Sequence, residues 1–135
     1  MAKNIMLEVV TPMKAIVSEE TDMVISPGEL GEFGVLIGHT PFLTTLKIGT
    51  LRYKDANGKE RAIFVNGGFA EALPDKVTVL AESAERRKNI DIDRAKAAQK
   101  RAMDRLESRA ENTNFIRAKA SLQRAISRIN LAQAR

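Results

Sequence analysis

The chain has 135 residues, of which 44% are apolar, with no cysteine and a formal net charge of +5. That fits one folded domain with an appendage and is too apolar for a disordered chain; the lack of cysteine rules out disulfides and thiolate metal sites. No apolar run approaches the roughly 18 residues that a membrane span needs. MAKNIMLEVV lacks a signal-peptide pattern, so a soluble protein in a bacterial-type cytoplasm is expected.

In chain order, IMLEVV, DMVIS, TLRYK, RAIFV and KVTVLA are short and rich in β-branched residues, which predicts strands. Asn57-Gly58 between the third and fourth is a hairpin signal, because both turn positions favour positive φ. Pro74-Asp75 marks another turn before KVTVLA. Turns recur about every ten residues, the rhythm of a β-sandwich or flattened barrel, and nine or ten strands are expected. Every glycine and every proline lies within the first 74 residues. The remaining stretch has neither of these helix breakers and reads as two helices, 89–110 and 114–134.

Asp91 is a candidate N-cap for the first helix, and Asn112 or Asn114 for the second. The short link Glu111-Asn112-Thr113-Asn114 makes the helices antiparallel neighbours. Apolar positions recur at helical spacing: Ala95, Ala98, Ala102 and Leu106 on the first helix, Phe115, Ala118, Leu122, Ala125, Ile129 and Ala132 on the second. Alanine lets helices approach closely but buries little area, so the pair is expected to be weakly held and mobile.

Charge divides along the same line. Residues 1–84 carry 8 Lys/Arg against 11 Asp/Glu, a net −3, and residues 85–135 carry 14 against 6, a net +8. The basic part should seek an anion: nucleic acid, an acidic protein surface or a phosphorylated small molecule. Arg94, Arg101 and Arg105 fall on one line of the first helix, and Arg117, Arg124, Arg128 and Arg135 on one line of the second. These lines are either solvated faces or two walls of an anion site, for which the planar arginine fork is suited. A basic helical nucleic-acid-binding module is the alternative on charge alone. It lacks a recognition motif, and only 4% of residues are aromatic, leaving few stacking platforms.

His39, the single histidine, has no clustered carboxylates or cysteines for a metal site and no nucleophile to serve as a base. It reads as a turn residue or a partner contact. GELGEFGVLIG does not match the phosphate-loop pattern, and its glycines suit turns and bulges. No catalytic residue and no metal ligand is assigned.

Three motifs in register, GHTPFLTTLKIGTLRY, VNGGFAEALPDKVTVLAESAE and IDIDRAKAA, resemble the epsilon subunit of bacterial F-type ATP synthase across nearly the whole chain. The resemblance implies an α+β chain, mainly β at its N-terminal part: a ten-stranded β-sandwich, then an antiparallel two-helix hairpin. The implied division is 1–84 for the sandwich, 85–88 for a linker and 89–135 for a mobile regulatory hairpin. It implies a non-catalytic rotor subunit of the central stalk, monomeric in isolation, that couples proton flow to ATP synthesis. The implied location is peripheral, on the cytoplasmic face of the bacterial inner membrane. The implied partners are the gamma subunit and the c-ring, and the alpha/beta catalytic hexamer when the helices extend and inhibit ATP hydrolysis.

The resemblance also implies that the folded-down hairpin binds ATP as a regulatory ligand, with or without Mg²⁺. The family motif I/L-D-x-x-R-A is matched by Ile90, Asp91, Arg94 and Ala95. Glu85 precedes it at the family's spacing, Arg101 matches the basic residue of the first helix, and Arg124 and Arg128 match the pair on the second. Glu85, Ile90 and Asp91 are thereby implied near adenine and ribose, and the arginines at the phosphates. Glu32 and His39 match the c-ring-facing loop, although Ile37 stands where the family usually has proline and Ala72-Leu73 where valine is commoner.

Overall fold

A computed structural model describes residues 4–108 and 114–134. The chain divides into two units, residues 1–86 and 87–135. The first unit holds seven strands: β1 (Ile5–Val10), β2 (Ala15–Gly28), β3 (Gly31–Val35), β4 (Phe42–Asp55), β5 (Glu60–Ala72), β6 (Lys76–Leu80) and β7 (Ala84–Arg86). The second holds a 3-10 turn (Arg87–Asn89), α1 (Ile92–Ser108) and α2 (Phe115–Gln133).

Five strands close into a ring in the order β1-β6-β5-β4-β2, with β2 pairing back onto β1. β1 runs parallel to β6, whereas the other pairings are antiparallel. β3 adds to β2 at one edge, and β7 pairs with β5. Alternate residues face inward: Ile5, Leu7 and Val9 of β1 meet Val77 and Val79 of β6 and Ile63 and Val65 of β5 in one buried cluster. The ring thus folds two faces over one core, which is the sandwich expected from the sequence.

Seven continuous strands take the place of the expected nine or ten. The reason is length: β2 and β4 have 14 residues and β5 has 13. β2 changes direction at irregularities between Thr21 and Met23 and between Ile25 and Gly28, so one strand does the work of two shorter ones. In β5, Gly67 and Gly68 carry φ of 67° and 115°. A Cβ on Gly68 would lie 2.0 Å from the Leu80 carbonyl oxygen, so only glycine lets β6 pass there.

The Asn57-Gly58 hairpin is present, but its connection spans residues 56–59. The Asp55 carboxylate holds it, accepting from the Asn57 and Lys59 N–H groups at 3.0 and 2.9 Å and from Arg61 at 3.2 Å. Those bonds, led by Lys59, hold the Asp55 carboxyl below its usual pKa. At Pro74-Asp75 the turn closes by paired bonds between Leu73 and Lys76.

In the second unit the helices pack on each other mainly through small residues, with Ala95 and Ala102 of α1 and Ala118, Ala125 and Ile129 of α2 buried. α1 begins at Ile92 rather than at residue 89, because Asp91 caps it. Its carboxylate accepts from the Arg94 N–H at 3.0 Å while its carbonyl accepts from Ala95. Asn114 caps α2, accepting from the Arg117 N–H at 3.0 Å. The other cap considered, Asn112, lies outside the described residues, as does the remainder of the link. Of the stretch expected as a linker, Glu85 and Arg86 belong to β7, and Arg87 and Lys88 to the 3-10 turn.

Candidate functional site

On both helices the arginines stand one residue before a position turned toward the other helix. Arg94, Arg101 and Arg105 precede buried Ala95, buried Ala102 and half-buried Leu106. Arg117, Arg124 and Arg128 precede buried Ala118, Ala125 and Ile129. One residue is a step of about 100° around a helix, so each arginine line flanks its packing line on the same rotational side. Two packed helices joined by so short a link run antiparallel. The two-fold axis of such a pair stands perpendicular to the plane of the helices and keeps each face on its own side. Equal offsets therefore bring both arginine lines to one side of the pair, whereas parallel helices would place them on opposite sides. The last arginine of the second line, Arg135, lies outside the described residues.

The side chains differ in exposure along that side. Arg94, Arg101, Arg105 and Arg117 are exposed, whereas Arg124 and Arg128 are half-buried. Arg124 donates from Nη2 to the Ser121 hydroxyl at 2.9 Å, which steers its guanidinium. Arg128 is engaged by neighbours as well. Partial burial raises the value of a charge-assisted hydrogen bond by excluding competing water, so these two are the strongest anion-binding candidates.

The I-D-x-x-R-A stretch separates into packing and polar positions. Ile90 and Ala95 are buried. Asp91 and Arg94 are exposed, and the Asp91 carboxylate already holds the end of α1. Glu85 is half-buried in β7, paired in register with Phe64, and belongs to the first unit.

In the first unit, Glu32 lies on β3 and forms a two-pronged pair with Arg52 of β4, both contacts at 3.2 Å. Both partners are half exposed, so the pair contributes little stability. His39 sits in the connection from β3 to β4. Its Nδ1 meets the Thr40 carbonyl at 2.5 Å and its ring leans toward Phe42, whose ring meets Phe33 edge-on at 5.2 Å. The Gly38 N–H bonds the Pro74 carbonyl at 2.6 Å, so Ile37 stands in a turn that is held from the β5–β6 connection.

Sequence reasoning missed one cluster. The buried Tyr53 hydroxyl donates to the Glu19 carboxylate at 2.5 Å, and the Arg86 guanidinium acts on the same hydroxyl. Burial, then the Glu19 bond and charge, push the tyrosine pKa up to about 12, with Arg86 opposing. The three residues lie on separate strands, and no local pattern joins them.

Among the described residues, no group of three or more His, Cys, Asp or Glu side chains is placed to hold a metal ion, and no helix is long and apolar enough to cross a membrane.

A β-sandwich unit followed by a pair of basic helices, with arginines gathered on one side, defines a two-part chain. Residues 4–87 match the profile of the ATP synthase Delta/Epsilon chain beta-sandwich domain, and residues 88–133 that of its long alpha-helix domain. The chain belongs to the ATP synthase delta/epsilon chain family. An ATP synthase epsilon chain of Desulfatibacillum aliphaticivorans is 67% identical over 109 residues, covering 81% of this chain and 77% of that one. One from Desulforapulum autotrophicum is 66% identical over 110 residues, covering 82% of each. A chain in the Euglena gracilis mitochondrial ATP synthase (OSCP/F1/c-ring) has the same fold, with a TM-score of 0.83 at 23% identity, over 94% of this chain and 80% of that one.

Proposed function

We propose that this chain is a rotor subunit of an F-type ATP synthase, non-catalytic, whose helical pair binds ATP as a regulatory ligand. Family membership supports the first part. The curated relatives are ATP synthase epsilon chains, and the solved Euglena gracilis chain comes from an assembly that includes F1 and a c-ring. On this reading the sandwich binds the gamma subunit and the c-ring, with Glu32 and His39 on the ring-facing loop. The chain then sits peripherally, on the cytoplasmic face of a bacterial membrane.

The observation that carries the nucleotide part is the equal one-residue offset of the two arginine lines from their packing lines. Arg124 and Arg128, with Arg94 and Arg101, face the phosphates; Ile90 and Asp91 lie toward the base and ribose end. An anion between the lines offsets their mutual repulsion and holds together helices whose contact is mostly alanine. Without it the helices gain by separating, and the freed arginines meet acidic surface on the alpha/beta hexamer and restrain hydrolysis. A ligand shifts such an equilibrium only by its differential affinity. At a hundred times its dissociation constant, ATP favours the closed pair by about 2.7 kcal/mol, roughly a hundredfold in population.

The experiment is an ATP titration of the isolated chain by calorimetry and thermal unfolding, with Arg124→Ala/Arg128→Ala as the comparison. Heat and stabilisation in the parent, both lost in the variant, are expected. No heat and no stabilisation at millimolar ATP removes the nucleotide part and leaves the rotor part intact.

A further inference from the structure

Three cations follow one another at the end of the first unit, Arg86, Arg87 and Lys88, and only the first of them is drawn inward. Ala84 and Arg86 share a face of β7. Ala84 packs on the core, and Arg86 is half-buried beside it. The Arg86 guanidinium donates to the Ile16 carbonyl of β2 at 3.0 Å and lies near enough to the Tyr53 hydroxyl of β4 to act on it electrostatically; that hydroxyl donates to Glu19 of β2. The three-residue strand β7 is thus fastened to β5 by its backbone, in register Val65–Ala84 to Ile63–Arg86, and to β2 and β4 by one side chain. One residue later the fastening ends. Arg87, Lys88 and Asn89 are all exposed, and the turn they form bonds from the Ile90 N–H to the Arg87 carbonyl at 3.2 Å.

We propose that Arg86, braced by Glu19 and Tyr53, is a positioning residue. It locks the last strand to the sandwich, so that movement of the helical pair starts at Arg87 and Glu85 stays fixed in its register. Arginine suits this place because its planar fork can hold a carbonyl on one strand while lying beside a phenol on another, a geometry the single ammonium of lysine does not reproduce. The pivot rests on the proposed movement of the helices. The clamp does not, and it is measured without nucleotide.

The test is hydrogen exchange and trypsin mapping on the full chain without ATP, comparing the parent with Arg86→Lys and Tyr53→Phe. Arg86→Lys keeps the charge and the protease site but loses the fork. In the parent, amides of residues 84–86 should be protected and those of 87–89 should exchange rapidly, and trypsin should cut after Arg87 or Lys88 but not after Arg86. In both variants, exchange at 84–86 should rise by about tenfold or more, the equivalent of one charge-assisted hydrogen bond. Protection in β1, β2 and β4 should hold, and cleavage after residue 86 should appear. Unchanged exchange at 84–86 overturns the clamp, as does an equal loss of protection throughout the sandwich. Parent residues 87–89 as protected as 84–86 overturn the pivot. Failure of the ATP titration alone leaves the clamp standing.

Discussion

Tyr53 is the only tyrosine, and the chain has no tryptophan, so its ionisation can be followed by near-ultraviolet absorbance without interference. It is 3% exposed, and its pKa is raised from 10.0 to about 12, first by burial and then by the Glu19 carboxylate that accepts its hydrogen bond. The unfolded chain releases this proton near pH 10, whereas the folded chain keeps it until near pH 12. The stabilisation is therefore fully present below about pH 10 and is lost as pH rises from 10 to 12. Two pKa units correspond to about 3 kcal/mol, a sizeable share of a small domain's stability. Two measurements check this. Spectrophotometric titration of the folded chain should give a midpoint near 12, moving to about 10 in denaturant. Denaturant unfolding between pH 8 and 12 should show a steeper loss for the parent than for Tyr53→Phe, the difference approaching about 3 kcal/mol. Lysine deprotonation weakens both chains over this range and cancels in the comparison. A folded-state midpoint near 10, or parallel losses in the two chains, would refute the reasoning.

Gly68→Ala sets a methyl group against the Leu80 carbonyl at a left-handed backbone position, and a loss of 3 kcal/mol or more, as a rough figure, is expected in denaturant unfolding. Asp91→Ala removes the α1 cap and should cost about 1 kcal/mol in thermal unfolding of the helical part even without nucleotide. Any further loss of ATP affinity beyond that cost measures a direct contact. Removing residues from 88 onward should leave the remainder able to join the complex while ATP hydrolysis by the reconstituted enzyme rises; unchanged hydrolysis means the helices do not inhibit. Gly68→Ala acts on the sandwich and the other two on the helical part, so its outcome is independent of theirs.

The helical part was legible because its signals are local. Asp91 and Asn114 sit where caps belong, the absence of Gly and Pro leaves helices unbroken, and the arginine lines follow from spacing alone. Strand existence was legible for β1 and β6, whose bounds nearly coincide with IMLEVV and KVTVLA. The first halves of β2 and β4 were not. AIVSEE and FLTTLK carry charges and threonines on faces that become outer surface, and their strand character comes from pairing with β1 and β5 rather than from composition. β7 was read as linker because three residues hold no period, and only Phe64 and its neighbours across the ladder make them a strand. Which residues ring a ligand is a tertiary question. The sequence placed the arginines on lines, but deciding that the two lines share one side required knowing which positions each helix buries.

The closed ring of strands constrains how the first unit can be recognised. Around β1, β6, β5, β4 and β2 each strand has hydrogen-bonded neighbours on both sides. Among the described residues, an incoming extended segment finds the short edges of β3 and β7, five and three residues long, and the first half of β2, Ala15–Glu20, which pairs with β1 alone. Recognition by adding a strand, which reads backbone and tolerates many sequences, is therefore confined to those edges. Elsewhere the ring offers side chains standing out from its faces, such as Leu43 and Phe69 of the outer surface, 68% and 53% exposed. Such a grip is specific to shape and cannot lengthen or slip by a residue. On the proposed rotor role, that suits a part that must stay in register with its neighbours as it turns.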